Sequence, residues 1–166
     1  MNFRVGLGQD SHRFSTDHNR KLILGGVEMP GEQGLEGNSD ADVVAHALCR
    51  ALEQAIGGES FSVYADKMQK KGINDSMEYL KKAVEHVWKA GYEINNIGIS
   101  IEAKKPNVSS IANEMKKSLS LATSVASDAI GISATSGEEL TAFGRGEGIQ
   151  VFAIVNMIKD EEQDED

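Results

Sequence analysis

Phe3-Arg4-Val5-Gly6-Leu7-Gly8, continued by Gln9-Asp10-Ser11-His12-Arg13-Phe14, is the stretch around which the chain is organised. Its first half reads as a β-strand, with Phe3, Val5 and Leu7 on one side and the small residues Gly6 and Gly8 between them. In extended chain, residues i and i+2 point to the same side. Asp10 and His12 therefore converge on one point, as two ligands of one metal ion do. A third ligand is offered by His46, which follows Asn38-Ser39-Asp40-Ala41-Asp42. One Asp and two His form a zinc-type set with an open fourth position.

Outward from this stretch, alternating and helical periodicities divide the rest. Lys21 to Leu24 and Val27 to Met29 flank Gly25-Gly26, a hairpin signal. Ser39 and Asp42 have the spacing of a helix N-terminus, and Gly57-Gly58 ends that helix near Ile56. Val44, Ala47, Leu48, Ala51, Leu52 and Ala55 form its apolar stripe. His46 lies on the opposite side with Asp42, Arg50 and Glu53, facing solvent, a cleft or another subunit. Residues 59–74 show no clear period. Ser76 to Ala90 reads as a second helix, with His86 on its polar face. Ile97, Ile99 and Ile101 mark a strand. Ser109 or Ser110 caps a third helix carrying Ile111, Met115 and Leu119. Ile130 to Thr135 is a strand, residues 136–148 are a glycine-rich loop, and Ile149 to Ile158 is a central strand. Helices on one side of a mixed sheet make a two-layer α+β sandwich. A single sheet leaves its other face bare, and that face is expected to meet other subunits.

The totals narrow the function. The 166 residues suit one domain, residues 1–159, and six acids in residues 160–166 read as a disordered tail. A net charge of -9 argues against a nucleic-acid or anionic-membrane surface, and requires a metal to offset any polyphosphate ligand. The single cysteine allows no intrachain disulfide and fits a reducing, cytoplasmic compartment. No apolar run is long enough to span a membrane, and the first residues carry no signal-peptide pattern.

Single motifs leave alternatives open. The Asp10/His12 pair also suits a histidine bonded to nearby backbone, and Asp42/His46 at i, i+4 also suits a surface pair. Gly144-Arg145-Gly146-Glu147-Gly148 suits close backbone approach to a ligand or a tight turn. Thr135-Ser136-Gly137-Glu138 offers hydroxyls and a carboxylate for a phosphate with a hard cation, or a polar loop. Taken together, in this order, with Leu24-Gly25-Gly26-Val27 between them, these segments resemble the 2-C-methyl-D-erythritol 2,4-cyclodiphosphate synthase family over residues 3–159.

The resemblance implies a homotrimer with active sites between neighbouring subunits, and a cytidine diphosphate substrate that cyclises with release of CMP. It implies Asp10, His12 and His46 as Zn²⁺ ligands, and Glu138 as the ligand of Mg²⁺ or Mn²⁺ on the diphosphate. Ser11, Asn38 and Ser39 fall near the methylerythritol phosphate, with Glu59, Tyr64 and Asp66 in the adjoining substrate segment. Ala103, Pro106, Asn107 and Val108 match the cytidine loop, Thr135 and Ser136 the diphosphate pocket, and Arg145 a substrate-contacting arginine. Asn38 and Ser136 occupy the positions of the family's catalytic histidine and its partner threonine. Ser133 and Asn107 replace lysines, and Glu59-Ser60-Phe61 and Tyr64-Ala65-Asp66 replace the family's Asp-Ile-Gly and Phe-Pro-Asp. A metal-dependent phosphodiesterase, or a nucleotide-binding trimer without turnover, fits the same residues.

Overall fold

The computed structural model describes residues 2–159. The acidic tail expected over 160–166 lies outside the described residues. Ten principal elements follow in order: β1 (Phe3–Arg13), β2 (Leu22–Leu24), β3 (Val27–Met29), α1 (Val43–Ile56), α2 (Phe61–Lys70), α3 (Ser76–Lys89), β4 (Tyr92–Glu102), α4 (Ala112–Thr123), β5 (Ile130–Thr135) and β6 (Gly148–Lys159). The main sheet has the order β1-β6-β4-β5. β6 runs antiparallel to both β1 and β4, while β4 and β5 are parallel. This is the expected mixed sheet, with the last strand inside it. Helices α1, α3 and α4 pack on one face, and β2–β3 forms a separate hairpin beside α1 and α4.

Strand alternation sorts the residues between the layers. Val151, Ala153, Val155 and Met157 of β6 are buried under the helices with Ile97, Ile99 and Ile101 of β4. Phe3, Val5 and Leu7 of β1 point the other way with Phe152 and Ile154, and all five are at least 40% exposed. The second face is therefore bare and apolar. Leu7, Ile132, Phe152 and Ile154 line a hollow of about 520 Å³ on it.

Gly6 and Gly8 face α1, and their size sets the distance between the layers. A Cβ on Gly6 would lie 2.0 Å from the Ala51 carbonyl oxygen, and one on Gly8 2.0 Å from that of Ala47. Only hydrogen in place of Cβ lets the helix come this close. Asp42 anchors the same helix at its start. One carboxylate oxygen accepts from the Val44 and Ala45 N–H groups and from Gly25, and the other accepts from Gly26. A single buried side chain thus caps α1 and holds the hairpin turn, in which both glycines have positive φ.

Four expectations change. Asp42 is the N-cap itself, and Ser39 Oγ accepts from the Ala41 N–H before the helix instead of capping it. Residues 59–74 contain α2, whose short, weakly patterned sequence hid it. Neither Ser109 nor Ser110 caps α4; a 3₁₀ turn over Val108–Ile111 leads into it instead. His86, read as solvated, donates one hydrogen bond from Nδ1 at 2.6 Å to the buried carboxylate of Glu53.

Gly8→Ala should drive α1 off β1, because no rotamer relieves a Cβ clash with backbone. Urea unfolding followed by circular dichroism should show a loss of about 3 kcal/mol or more.

Candidate metal centre and substrate cleft

The end of β1 and the first turns of α1 build the centre. Asp10 and His12 leave β1 on the helix side, as period-2 alternation requires. His46 meets them from α1, one turn after the Asp42 cap. Asp10 Oδ2 lies 2.9 Å from His12 Nε2 and 3.1 Å from His46 Nδ1, and the two nitrogens are 3.3 Å apart. Tetrahedral ligands about 2.0–2.1 Å from zinc are about 3.3 Å from each other. The three atoms thus have nearly the spacing of three ligands of one such ion.

The surrounding bonds leave the right lone pairs free. His12 Nδ1 donates to the Glu36 carbonyl at 2.7 Å, which keeps Nε2 as the ligand atom. His46 Nε2 donates to Ser76 Oγ at 2.7 Å, which keeps Nδ1. Ser76 Oγ in turn donates to Asp40, whose other oxygen accepts from the Ser76 N–H. Outer partners of this kind fix tautomer and ring orientation at metal sites. Burial raises the Asp10 carboxyl, but hydrogen bonds and charge from His12 and His46 outweigh it and hold the group well below the usual carboxylate range. Burial lowers His12, yet the Asp10 carboxylate beside it leaves its proton affinity raised above the ordinary 6.5.

His46 is only 6% exposed. The helix face read as polar is covered by Phe61 of α2 and Tyr79 and Ser76 of α3, so His46 opens onto a cleft rather than solvent. That cleft holds about 160 Å³, and its walls include Asn38, Ser39, Arg50, Asp66 and Gln69 besides the three metal-type residues. Gln69 donates to the Asn38 carbonyl and so ties α2 to the loop. Ser39 Oγ sits 3.4 Å from His46 Nε2.

The other expected residues fall elsewhere. Ser11 faces a neighbouring hollow with Phe143 and Glu147. Glu59 lines a cleft on the far side of Arg50. Tyr64 is buried against Phe61 and His86, with its hydroxyl unpartnered. Ala103, Pro106, Asn107 and Val108 follow β4, where the Ala103 N–H donates to the Thr135 carbonyl. Ser136 Oγ donates to Glu138 Oε1 at 3.3 Å, and Glu138 has positive φ. Arg145 pairs with Glu147 at 3.0 Å. Along the sheet Asp10 is level with Val151, Ile101 and Ala134. Three strand spacings, roughly 14 Å, therefore separate the metal-type centre from the Thr135–Glu138 turn within one chain. Sequence reading missed Ser76, Asp40 and Gln69 as supports, since loop and helix bring them in. Arg50 was legible as lying four residues after His46.

The model of the YgbB family matches residues 3–158. The chain belongs to that family. It is 40% identical over 159 residues to the 2-C-methyl-D-erythritol 2,4-cyclodiphosphate synthase of Chlamydia trachomatis serovar A, covering 95% of this chain and 89% of that one. The enzyme of the same name from Chlamydia caviae is 36% identical over 157 residues, or 93% of this chain and 89% of that one. Among solved structures, the bifunctional IspDF of Campylobacter jejuni superposes with a TM-score of 0.87 at 34% identity. The match covers 96% of this YgbB-family chain but only 43% of that bifunctional one. A CDP complex of IspF from Plasmodium falciparum has a TM-score of 0.84 at 25% identity, with 96% and 98% covered.

After incubation with Zn²⁺ and desalting, His46→Ala should hold much less zinc per chain than wild type by elemental analysis, while circular dichroism stays native. Acid should release zinc from wild type reversibly. A proton on His12 Nε2 excludes the ion, and the raised proton affinity of His12 brings this competition in at a higher pH than for a free imidazole. Zinc affinity should fall about tenfold per pH unit once His12 titrates, followed by competition with a chromogenic chelator.

Proposed function

We propose that this chain is a zinc-dependent cyclodiphosphate synthase, a phosphorus–oxygen lyase of the non-mevalonate isoprenoid pathway. The Asp10–His12–His46 triad carries the reading, and the names of the relatives supply the reaction. The substrate is 4-diphosphocytidyl-2-C-methyl-D-erythritol 2-phosphate. An oxygen of its 2-phosphate attacks the β-phosphorus, the bond to the α-phosphate breaks, and CMP leaves with that electron pair. The product is 2-C-methyl-D-erythritol 2,4-cyclodiphosphate. The nucleophile belongs to the substrate, so the protein needs no activated Ser or Cys.

Asp10, His12 and His46 hold the ion, which when bound supplies Lewis acidity at the β-phosphate. Asn38 and Ser39 offer an amide and a hydroxyl on the cleft wall for the methylerythritol phosphate. Thr135 and Ser136 offer hydroxyls for the diphosphate, and Ala103 to Val108 form the base-binding loop. Glu138, with the diphosphate itself, holds Mg²⁺ or Mn²⁺. Glu59, Asp66 and Arg145 are further substrate contacts in this reading, and Tyr64 packs behind Phe61, which lines the cleft. Catalysis is then mostly positioning and charge stabilisation.

The two halves are roughly 14 Å apart in one chain, and the second sheet face is bare and apolar. Both observations support a homotrimer in which the cytidine half of each site comes from the neighbouring copy. The buried free thiol of Cys49 is compatible with a cytoplasmic location. No helix among the described residues is long and apolar enough to cross a membrane.

Incubation of the zinc-loaded protein with the substrate should release CMP together with a cyclic diphosphate, identified by ³¹P NMR; a linear phosphate product would instead indicate simple hydrolysis. Asn38→His adds a group able to carry charge, and should raise the rate about ten- to thirty-fold, equivalent to about 1.4–2 kcal/mol. Light scattering at micromolar concentration should give about three times the 17.9 kDa chain mass.

A further inference from the structure

Neither the metal triad nor the helix packing uses the guanidinium of Arg50. Arg50 follows His46 by four residues on α1, so both side chains leave the same helix face. Among the described residues it is the one Lys or Arg lining the metal cleft, where Asp10 and Asp66 are the acids. Its nearest carboxylate oxygen is Asp10 Oδ1, 3.5 Å from Nη2. That is well beyond the ~2.7–2.9 Å of a charge-assisted hydrogen bond. Its Nε is buried and has no partner. Its central carbon lies 5.2 Å from the centre of the Phe61 ring, which holds the side chain in place without using an N–H. A guanidinium presents five donors in a planar fork matched to oxyanions. Here a ring steadies that fork at the edge of the cleft, and its donors are unspent.

Holding Asp10 in place does not account for this arrangement. Asp10 Oδ2 is already oriented by two imidazoles at 2.9 and 3.1 Å, and the contact to Oδ1 is long. Charge argues in the same direction. A divalent ion on the triad offsets Asp10 and leaves one positive charge. Asp66 and a phosphate of about two negative charges then exceed it unless a further cation is present.

We propose that Arg50 binds the terminal phosphate of the nucleotide in the metal cleft, and is a substrate-binding residue of the reaction. The inference rests on the cytidine-diphosphate reading above. Calorimetry on zinc-loaded wild type, Arg50→Gln and Arg50→Lys, with CDP and with CMP, tests it. CDP carries the β-phosphate and CMP lacks it. Arg50→Gln should weaken CDP about tenfold and CMP less than twofold, with Arg50→Lys between wild type and Arg50→Gln, while zinc per chain stays the same. Equal CDP affinity in wild type and Arg50→Gln overturns the proposal. So does a wild type that binds CDP no better than CMP, or a zinc content that falls in step with CDP affinity. Failure of the cyclase reading shows separately, as absence of cyclic product from wild type, because the CDP–CMP difference is measured without turnover.

Discussion

The structure depends on the close approach of α1 to β1. Two glycines on the strand, separated by one residue, let the helix backbone settle where any Cβ would meet a carbonyl oxygen at 2.0 Å. A helix held that near a strand brings its own side chains down to the strand's level. His46 therefore reaches Asp10 and His12 without a long arm, and three ligand atoms meet within 3.3 Å. With a Cβ at either glycine the layers would separate, and the histidine would be left short of the strand. Asp42 fixes the helix along its axis, since its carboxylate is shared between the first turn and the Gly25–Gly26 hairpin.

Burying the centre on one side gives it a defined chemistry. Each histidine donates one ring nitrogen to a fixed acceptor, the Glu36 carbonyl or Ser76, and turns the other towards the carboxylate. The tautomers are thus set by the fold before any ion arrives. Further along α1 the polar face divides. Arg50 reaches the metal cleft, whereas Glu53 turns to His86 and is 4% exposed. Burial raises the Glu53 carboxyl while the His86 bond opposes it, so this second pair ties α1 to α3 at some electrostatic cost.

The two halves of the proposed site lie at one level of the sheet but on strands that are not neighbours. β6 and β4 lie between them, and β6 carries Phe152, Ile154 and Ile158 away from the helices. The spacing that parts the halves and the apolar face that invites assembly thus arise from the same sheet order. In a chain with net charge -9, the metal cleft is lined by Arg50 and by Asp10 and Asp66, so a polyanion gathers there only with the charge of an ion held by Asp10, His12 and His46.

Local chemistry was legible in the sequence. Alternation placed Asp10 and His12 on one side of a strand, helical periodicity placed His46 and Arg50 on one face, and Gly25-Gly26 marked the hairpin. These readings depend on a few neighbouring residues, and backbone geometry repeats with fixed periods. The two-layer arrangement and the central last strand were legible too, but which strands pair and what covers the polar helix faces did not follow. The polar face of α1 could meet solvent, a cleft or another subunit, because nothing within α1 reveals that α2 and α3 will cover it. His86 looked solvated for the same reason, since its partner Glu53 is 33 residues away. Ser76 and Asp40 became supports of His46 only when the start of α3 was folded against the loop before α1. What the sequence determined by itself was the set of donor atoms and their local directions. Which of them meet, and which become dry, was decided by packing between distant segments, since the hydrophobic effect that drives it is non-directional and acts on the whole core.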